Sequence, residues 1–211
     1  MKYDDIKNIN RNEFTALTFD SRTALPGSLF FCKGEGFKEK YLRDAVDKGI
    51  KAYVSEREYD VDCPCIKVPD IRIAMDEMAN EFYGYPWKEF KLIGVTGTVG
   101  KTTTVFFINA MLRAAGRKVS YISSVDTDDG VENFESHLTT PEALDLLRHF
   151  DNARSTGADA FVMEVSSQAL KYHRTRSVVF DIGVFLNFEP DHISNVEHCD
   201  AEDFLGVSLS L

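Results

Sequence analysis

Apolar and polar positions fall into short blocks that alternate between strand-like runs and helical spacing. Residues 14–35 read as short strands and turns, with Pro26-Gly27 turning the chain before the apolar run Leu29-Phe30-Phe31-Cys32. Phe37, Tyr41, Leu42, Ala45 and Val46 then share one helical face, and Gly49 is placed to stop that helix. Lys51-Ala52-Tyr53-Val54 and Ile66-Lys67-Val68 read as two more strands. Asp70 is a helix cap, and the helix runs to about Phe82 with Ile71, Ala74, Met75, Met78 and Phe82 turned inward. Gly84, Pro86 and Trp87 break the pattern, which predicts a domain at 1–87 and a second at 88–211.

The second half is more regular. Phe90 to Val95 is an apolar strand, followed by a Gly-rich turn and a helix from Lys101 to about Ala115, stopped by Gly116. Lys118 to Ile122 is the next strand. Thr140-Pro141 opens a helix, with Thr140 as its cap and Pro141 in the first turn. Ala160 to Val165 and Val178 to Phe185 are two further strands. Alternating strands and helices predict an α/β fold with a mostly parallel, helix-covered sheet. Ligands of such sheets collect at the carboxyl ends of the strands. Four features fall there: the turn after Val95, Glu164-Val165-Ser166-Ser167, Asn187, and Asp191-His192.

Composition narrows the class. The 211 residues carry 24 Lys+Arg against 34 Asp+Glu, a net charge of -10, and are 44% hydrophobic and 27% charged. That balance fits a globular protein, and its acidity counts against binding to nucleic-acid phosphates. No run approaches the ~20 apolar residues of a membrane helix, and the first residues lack the apolar core of a signal peptide. The expectation is a cytoplasmic chain with no membrane insertion. Cys63 and Cys65 form a C-x-C pair, but no second pair has zinc-site spacing. Reduced, packed thiols are therefore expected of Cys32, Cys63, Cys65 and Cys199.

The strongest motif is Gly94-Val95-Thr96-Gly97-Thr98-Val99-Gly100-Lys101-Thr102-Thr103-Thr104. Glycines let the backbone curl until several N–H groups point at one phosphate, and the following helix presents its positive end. Lys101 then reaches the β and γ oxygens, and the Thr102 hydroxyl can hold magnesium. The strict G-x-x-x-x-G-K-[ST] pattern is not met, because Val95 occupies the place of its first glycine. No N-K-x-D accompanies the loop, and Asp126-Thr127-Asp128-Asp129-Gly130 has the wrong spacing for a GTPase.

With these residues in view the chain resembles the Mur ligase family, in particular the branch that adds the third residue of the peptidoglycan stem peptide. The resemblance rests on Asp20-Ser21-Arg22, Pro26-Gly27-Ser28-Leu29-Phe30 and Lys33-Gly34 in the first half. In the second it rests on residues 97–104, Thr139-Thr140-Pro141-Glu142, Met163-Glu164-Val165-Ser166-Ser167, and Asn187 followed by Asp191-His192. It implies a small N-terminal α/β substrate domain ahead of an incomplete phosphate-loop domain, with ATP and Mg2+ as cofactors. The substrates it implies are UDP-N-acetylmuramoyl dipeptide and an amino acid.

By the same resemblance, Ser21 contacts the uridine nucleotide, while Thr139, Thr140, Ser166 and Arg174 hold the muramoyl peptide. Gly97, Thr98, Val99, Gly100, Lys101, Thr102, Thr103 and Asn187 form the ATP site. Lys101, Glu164 and His192 are the catalytic set, and Thr102, Glu164 and His192 the magnesium ligands. Each has a plainer alternative on the residues alone: Glu164 as a solvated strand-end carboxylate, His192 as a turn histidine, Thr139-Thr140 as a cap, Arg174 as a surface charge.

Three departures bear on activity. Val99 stands where the family usually has Asn, and Gln168 where it often has His. Ser208 falls about where the family has a lysine that is carbamylated by carbon dioxide, and serine forms no such stable carbamate. Family members run more than twice this length, so a truncated ligase, inactive alone, is expected. An incomplete sheet also predicts an open apolar edge and self-association. The reading from another class is a non-catalytic module that binds a UDP-sugar or nucleotide. A phosphate-loop kinase of unrelated specificity is a third.

Overall fold

The computed structural model describes residues 9–34 and 36–188. The chain divides into two compact units, the first ending at Tyr85 and the second beginning at Pro86.

The first unit is built on β1 (Leu17–Thr18), β2 (Leu29–Phe31), α1 (Glu39–Asp47), β3 (Ala52–Ser55), β4 (Cys65–Lys67) and α2 (Ile71–Tyr83). The four strands form one sheet in the order β1-β2-β3-β4, every pairing parallel. Leu29, Phe30, Phe31, Tyr53 and Val54 are fully buried, so both faces of the central strands are covered. Leu42 and Ala45 supply the buried stripe of α1. Asp70 caps α2 as expected, its carboxylate accepting the Arg72 and Ile73 amides at 2.8 and 3.1 Å. Gly84, at φ 68°, takes the left-handed conformation that ends this helix. Cys32 lies in the core, where burial pushes its thiol up to about 12.

The second unit opens with a 3-10 turn at Pro86–Glu89. It continues through β5 (Lys91–Thr96), α3 (Lys101–Ala114), β6 (Val119–Ile122), β7 (Asp126–Asp128), β8 (Asn133–Glu135), α4 (Ala143–Ser155), β9 (Ala160–Glu164), α5 (Ser167–Lys171) and β10 (Ile182–Phe185). Its sheet runs β10-β5-β9-β6-β7-β8. The first four strands in that order are parallel, and β7 and β8 extend them as an antiparallel hairpin.

The register decides where the chemistry gathers. Val95 faces Glu164 on one side and Val184 on the other, and Ile122 lies level with Met163. The carboxyl ends of β5, β6, β9 and β10 therefore finish together. The residues that follow them, 97–100, 123–124, 165–166 and 186–187, share one edge of the sheet.

Three expectations need correction. Thr140 does not cap α4: that helix begins at Ala143 behind Glu142, and Pro141 precedes it. The Thr140 hydroxyl is already engaged, donating to the Glu164 carbonyl at 2.9 Å and accepting the Ser166 amide at 3.0 Å. The last strand begins at Ile182 instead of Val178, because the Val178 amide closes a turn onto Thr175. Asp181 then docks on the start of β5, bonding the Leu92 amide at 2.9 Å and the Lys91 ammonium at 2.7 Å. The β7–β8 hairpin was not anticipated, although Asp129-Gly130 at its turn is a recognised hairpin signal.

Candidate functional site

The phosphate loop joins β5 to α3. Gly97 is required by its surroundings: at φ 139°, a Cβ there would lie 3.1 Å from the Asn187 nitrogen and oxygen and from the Leu186 Cβ. Gly100 is likewise left-handed, at φ 90°, where the loop enters the helix. Asn187 fastens the loop from the end of β10. Its side-chain oxygen accepts the Val99 amide and its side-chain nitrogen donates to the Val99 carbonyl, both at 3.0 Å. Its main-chain oxygen accepts the Thr98 amide at 3.2 Å. The contact uses only the Val99 backbone, so the valine in place of asparagine leaves it intact.

Lys101 folds back over this loop, donating to the Gly97 and Thr98 carbonyls at 2.6 and 3.0 Å. Burial lowers its pKa, and the nearby Glu164 charge opposes that shift. Thr102 is half-buried in the first turn of α3, with Thr103 exposed beside it.

Glu164 ends β9 and is 1% exposed. One carboxylate oxygen accepts the Ser124 amide at 2.6 Å and the other the Ser124 hydroxyl at 3.1 Å. Ser124 Oγ is also 3.0 Å from the Thr139 hydroxyl. Ser124 follows β6 and carries no motif, so nothing local in the sequence marked it; its partner lies 40 residues away.

Ser166 caps the short α5 by accepting the Ala169 amide at 3.2 Å. Arg174 lies partly buried beside it, donating to the Thr140 carbonyl at 3.0 Å and pairing with Glu142 at 2.8 Å. Its Nε is buried with no protein partner. The second unit thus brings together the loop residues 97–103, Asn187, Glu164, Thr139, Thr140, Ser166 and Arg174.

Ser21 belongs to the first unit. It is buried, and the Lys48 ammonium draws on the Ser21 and Arg22 carbonyls at 2.6 and 3.0 Å. The Arg22 guanidinium holds the neighbouring Asp20 carboxyl below its usual range. His192 lies outside the described residues.

The donor set suits the groups that the resemblance implies. A glycine cradle whose space a Cβ would fill, a lysine and a helix N-terminus answer a polyphosphate. A hydroxyl and a carboxylate, both hard oxygen donors, answer magnesium. A cavity of about 500 Å³ lined by Trp87, Lys91, Asp159 and Asp181 lies at the opposite, amino-terminal edge of the strands, and no glycine lines it.

Asp129, Glu132 and His149 also bring three ligand-type atoms within 4.8 Å of one another. Their bonding is already internal. Asp129 accepts the Val131 and Glu132 amides at 2.9 and 2.7 Å on one oxygen, and His149 and Asn152 at 2.6 and 2.8 Å on the other. Arg148 pairs with Glu132. This knot ties the β7–β8 hairpin to α4.

Residues 95–204 match the Mur ligase middle domain. The UDP-N-acetylmuramoyl-L-alanyl-D-glutamate--L-lysine ligase of Enterococcus faecalis is 47% identical over 93% of this chain and 39% of its own length. A solved UDP-N-acetylmuramoyl-L-alanyl-D-glutamate--2,6-diaminopimelate ligase superposes with a TM-score of 0.74 at 24% identity, over 92% of this chain and 40% of that one. The MurF ligase of Thermotoga maritima, solved in complex with ADP, superposes at 0.64 and 19% identity, over 92% and 42%. The chain thus spans about 40% of the length of the relatives it matches. Matched through its phosphate loop and the strands that surround it, this chain belongs to the Mur ligase family.

Proposed function

We propose that the chain is the substrate- and nucleotide-binding part of an ATP-dependent ligase that adds the third amino acid to UDP-N-acetylmuramoyl dipeptide. The observation that carries this reading is the convergence of the Lys101 loop, Glu164 and the Thr139–Arg174 cluster on one sheet edge. The first unit, through Ser21, is the proposed seat of the uridine nucleotide. Lysine is the amino acid in the name of the Enterococcus faecalis relative.

Amide formation is difficult because a carboxylate has no good leaving group. In the proposed reaction the dipeptide carboxylate takes the γ-phosphoryl group, giving an acyl phosphate and ADP. The amine of the incoming amino acid then attacks the acyl carbon, phosphate departs, and the amine loses a proton. The site's task is to place two anions together and neutralise their charge. Lys101 leaves its loop carbonyls for the β and γ oxygens, and the loop amides other than those of Thr98 and Val99, which Asn187 holds, line the phosphates. Thr102 and Glu164 would hold magnesium, with His192 as a further ligand; magnesium supplies charge neutralisation between the phosphates and the carboxylate. Thr139, Thr140, Ser166 and Arg174 would hold the muramoyl peptide, the Arg174 Nε offering a donor with no protein partner.

Ser208 in the place of the carbamylated lysine supports low activity in this chain by itself. Among the described residues β10 is an edge strand, with Ile182 and Phe185 51% and 39% exposed, which supports self-association.

Calorimetric titration tests the reading. UDP-muramoyl dipeptide should bind, magnesium-ADP should bind separately, and Ser21→Ala should weaken only the first. A folded sample that binds neither ligand would overturn it.

A further inference from the structure

We infer that Ser124 is a positioning residue that aims the Glu164 carboxylate and couples it to Thr139, so that cation and muramoyl substrate are sensed through one hydrogen-bonded chain. This rests on the proposed roles of Glu164 as a cation ligand and of Thr139 as a substrate contact.

The geometry is specific. Glu164 is almost fully buried, yet its carboxylate is gripped at both oxygens by the single residue Ser124, through the amide at 2.6 Å and the hydroxyl at 3.1 Å. Two anchors on one planar group fix its rotation. Without them the terminal torsion of a glutamate is broad. The serine hydroxyl has one proton and two neighbours, the carboxylate and the Thr139 hydroxyl at 3.0 Å. An ionised carboxylate only accepts, and a charge-assisted bond is the stronger. The Ser124 hydroxyl is thus placed to donate to both, so its single proton is divided between Glu164 and the Thr139 oxygen, and the carboxylate is the stronger claimant.

Thr140 grips the same residue from its other end, donating to the Glu164 main-chain oxygen at 2.9 Å. The adjacent threonines hold Glu164 by main chain and, through Ser124, by side chain. A substrate group that donates to the Thr139 oxygen occupies that competing acceptor, leaves the Ser124 proton to Glu164 and alters how firmly the carboxylate is held. Ser124 itself is exposed, so its hydroxyl is not needed to fill the core.

The test is a Mn2+ titration of the whole chain with ATP present, followed by the free-ion electron paramagnetic resonance signal, with and without UDP-muramoyl dipeptide. Outer partners of metal ligands typically contribute about 10-fold or more in affinity. Ser124→Ala keeps the amide bond but loses the hydroxyl, so Mn2+ affinity should fall about 10-fold and become insensitive to the dipeptide. Ser124→Thr should restore both properties. If Glu164→Gln abolishes binding while Ser124→Ala stays within about twofold of the parent, the ligand reading stands and the positioning role is overturned. If Glu164→Gln binds as the parent does, or the parent binds no Mn2+, Glu164 is no ligand and both readings fall.

Discussion

Replacing Asp129 with alanine tests whether the hairpin knot is a structural keystone. The carboxylate is fully buried and accepts four hydrogen bonds, from the Val131 and Glu132 amides, His149 and Asn152. Alanine strands all four donors. The two turn amides lie near the surface and can turn to water, but His149 is 2% exposed and loses its partner outright. Each stranded buried donor costs about 1–3 kcal/mol, and His149 and Asn152 are two, so a loss of roughly 4 kcal/mol is expected. Trp87 is the single tryptophan, is 9% exposed and sits in the same unit, so its fluorescence in a urea titration follows that unit. The acid limb gives an independent check. Burial pushes the Asp129 carboxyl up, but His149, Asn152 and two amides outweigh it and hold the folded pKa at about 2, below 3.8. A depressed carboxylate contributes its stability above pH 3.8 and loses it as the pH falls through about 2. That contribution is on the order of 2 kcal/mol, and Asp129→Ala should lack this part of the acid transition. A fluorescence midpoint shifted by less than about 1 kcal/mol would refute the reasoning.

Gly97→Ala should cost about 1–3 kcal/mol of loop strain and lower magnesium-ADP affinity at least 10-fold while UDP-ligand binding persists, as calorimetry would show. Unchanged ADP affinity would mean that the loop has room its contacts deny. Ile182→Lys on the exposed face of β10 should shift sedimentation toward monomer if that edge drives association. The same distribution for both chains would move the cause elsewhere.

Much of this fold is written locally in the sequence. The Asp70 cap and the Gly84 stop of α2 are each set within a few residues, and both stand in the structure. The helix start at Lys101 follows from the glycine beside it. What misled was chemistry with two local uses. Thr140 before Pro141 is a sound cap by sequence, but its hydroxyl is spent on Glu164 and Ser166 across the sheet. The strand expected from Val178 was cut short by a turn and by the Asp181 contact to β5, a partner 89 residues away. Ser124 lay beyond reach for the same reason: a lone serine after a strand gains meaning only when register sets it beside Glu164. The shape of the loop was legible because its glycine spacing and the helix that follows encode its conformation within one short stretch.

The parallel register of the second sheet has a consequence during synthesis. β5 is made before any of its partners yet ends up between two of them, Lys91 opposite Ala160 on one side and Ile182 opposite Ile93 on the other. The first of those partners emerges 69 residues after Lys91 (160 − 91). At about 5–20 residues per second, Leu92, Ile93 and Val95 wait roughly 3–14 seconds without a neighbour on that side. The strand that leads into the Gly97–Gly100 loop is thus the one of this sheet held longest unpaired and apolar, which makes it the segment most exposed to mispairing during synthesis.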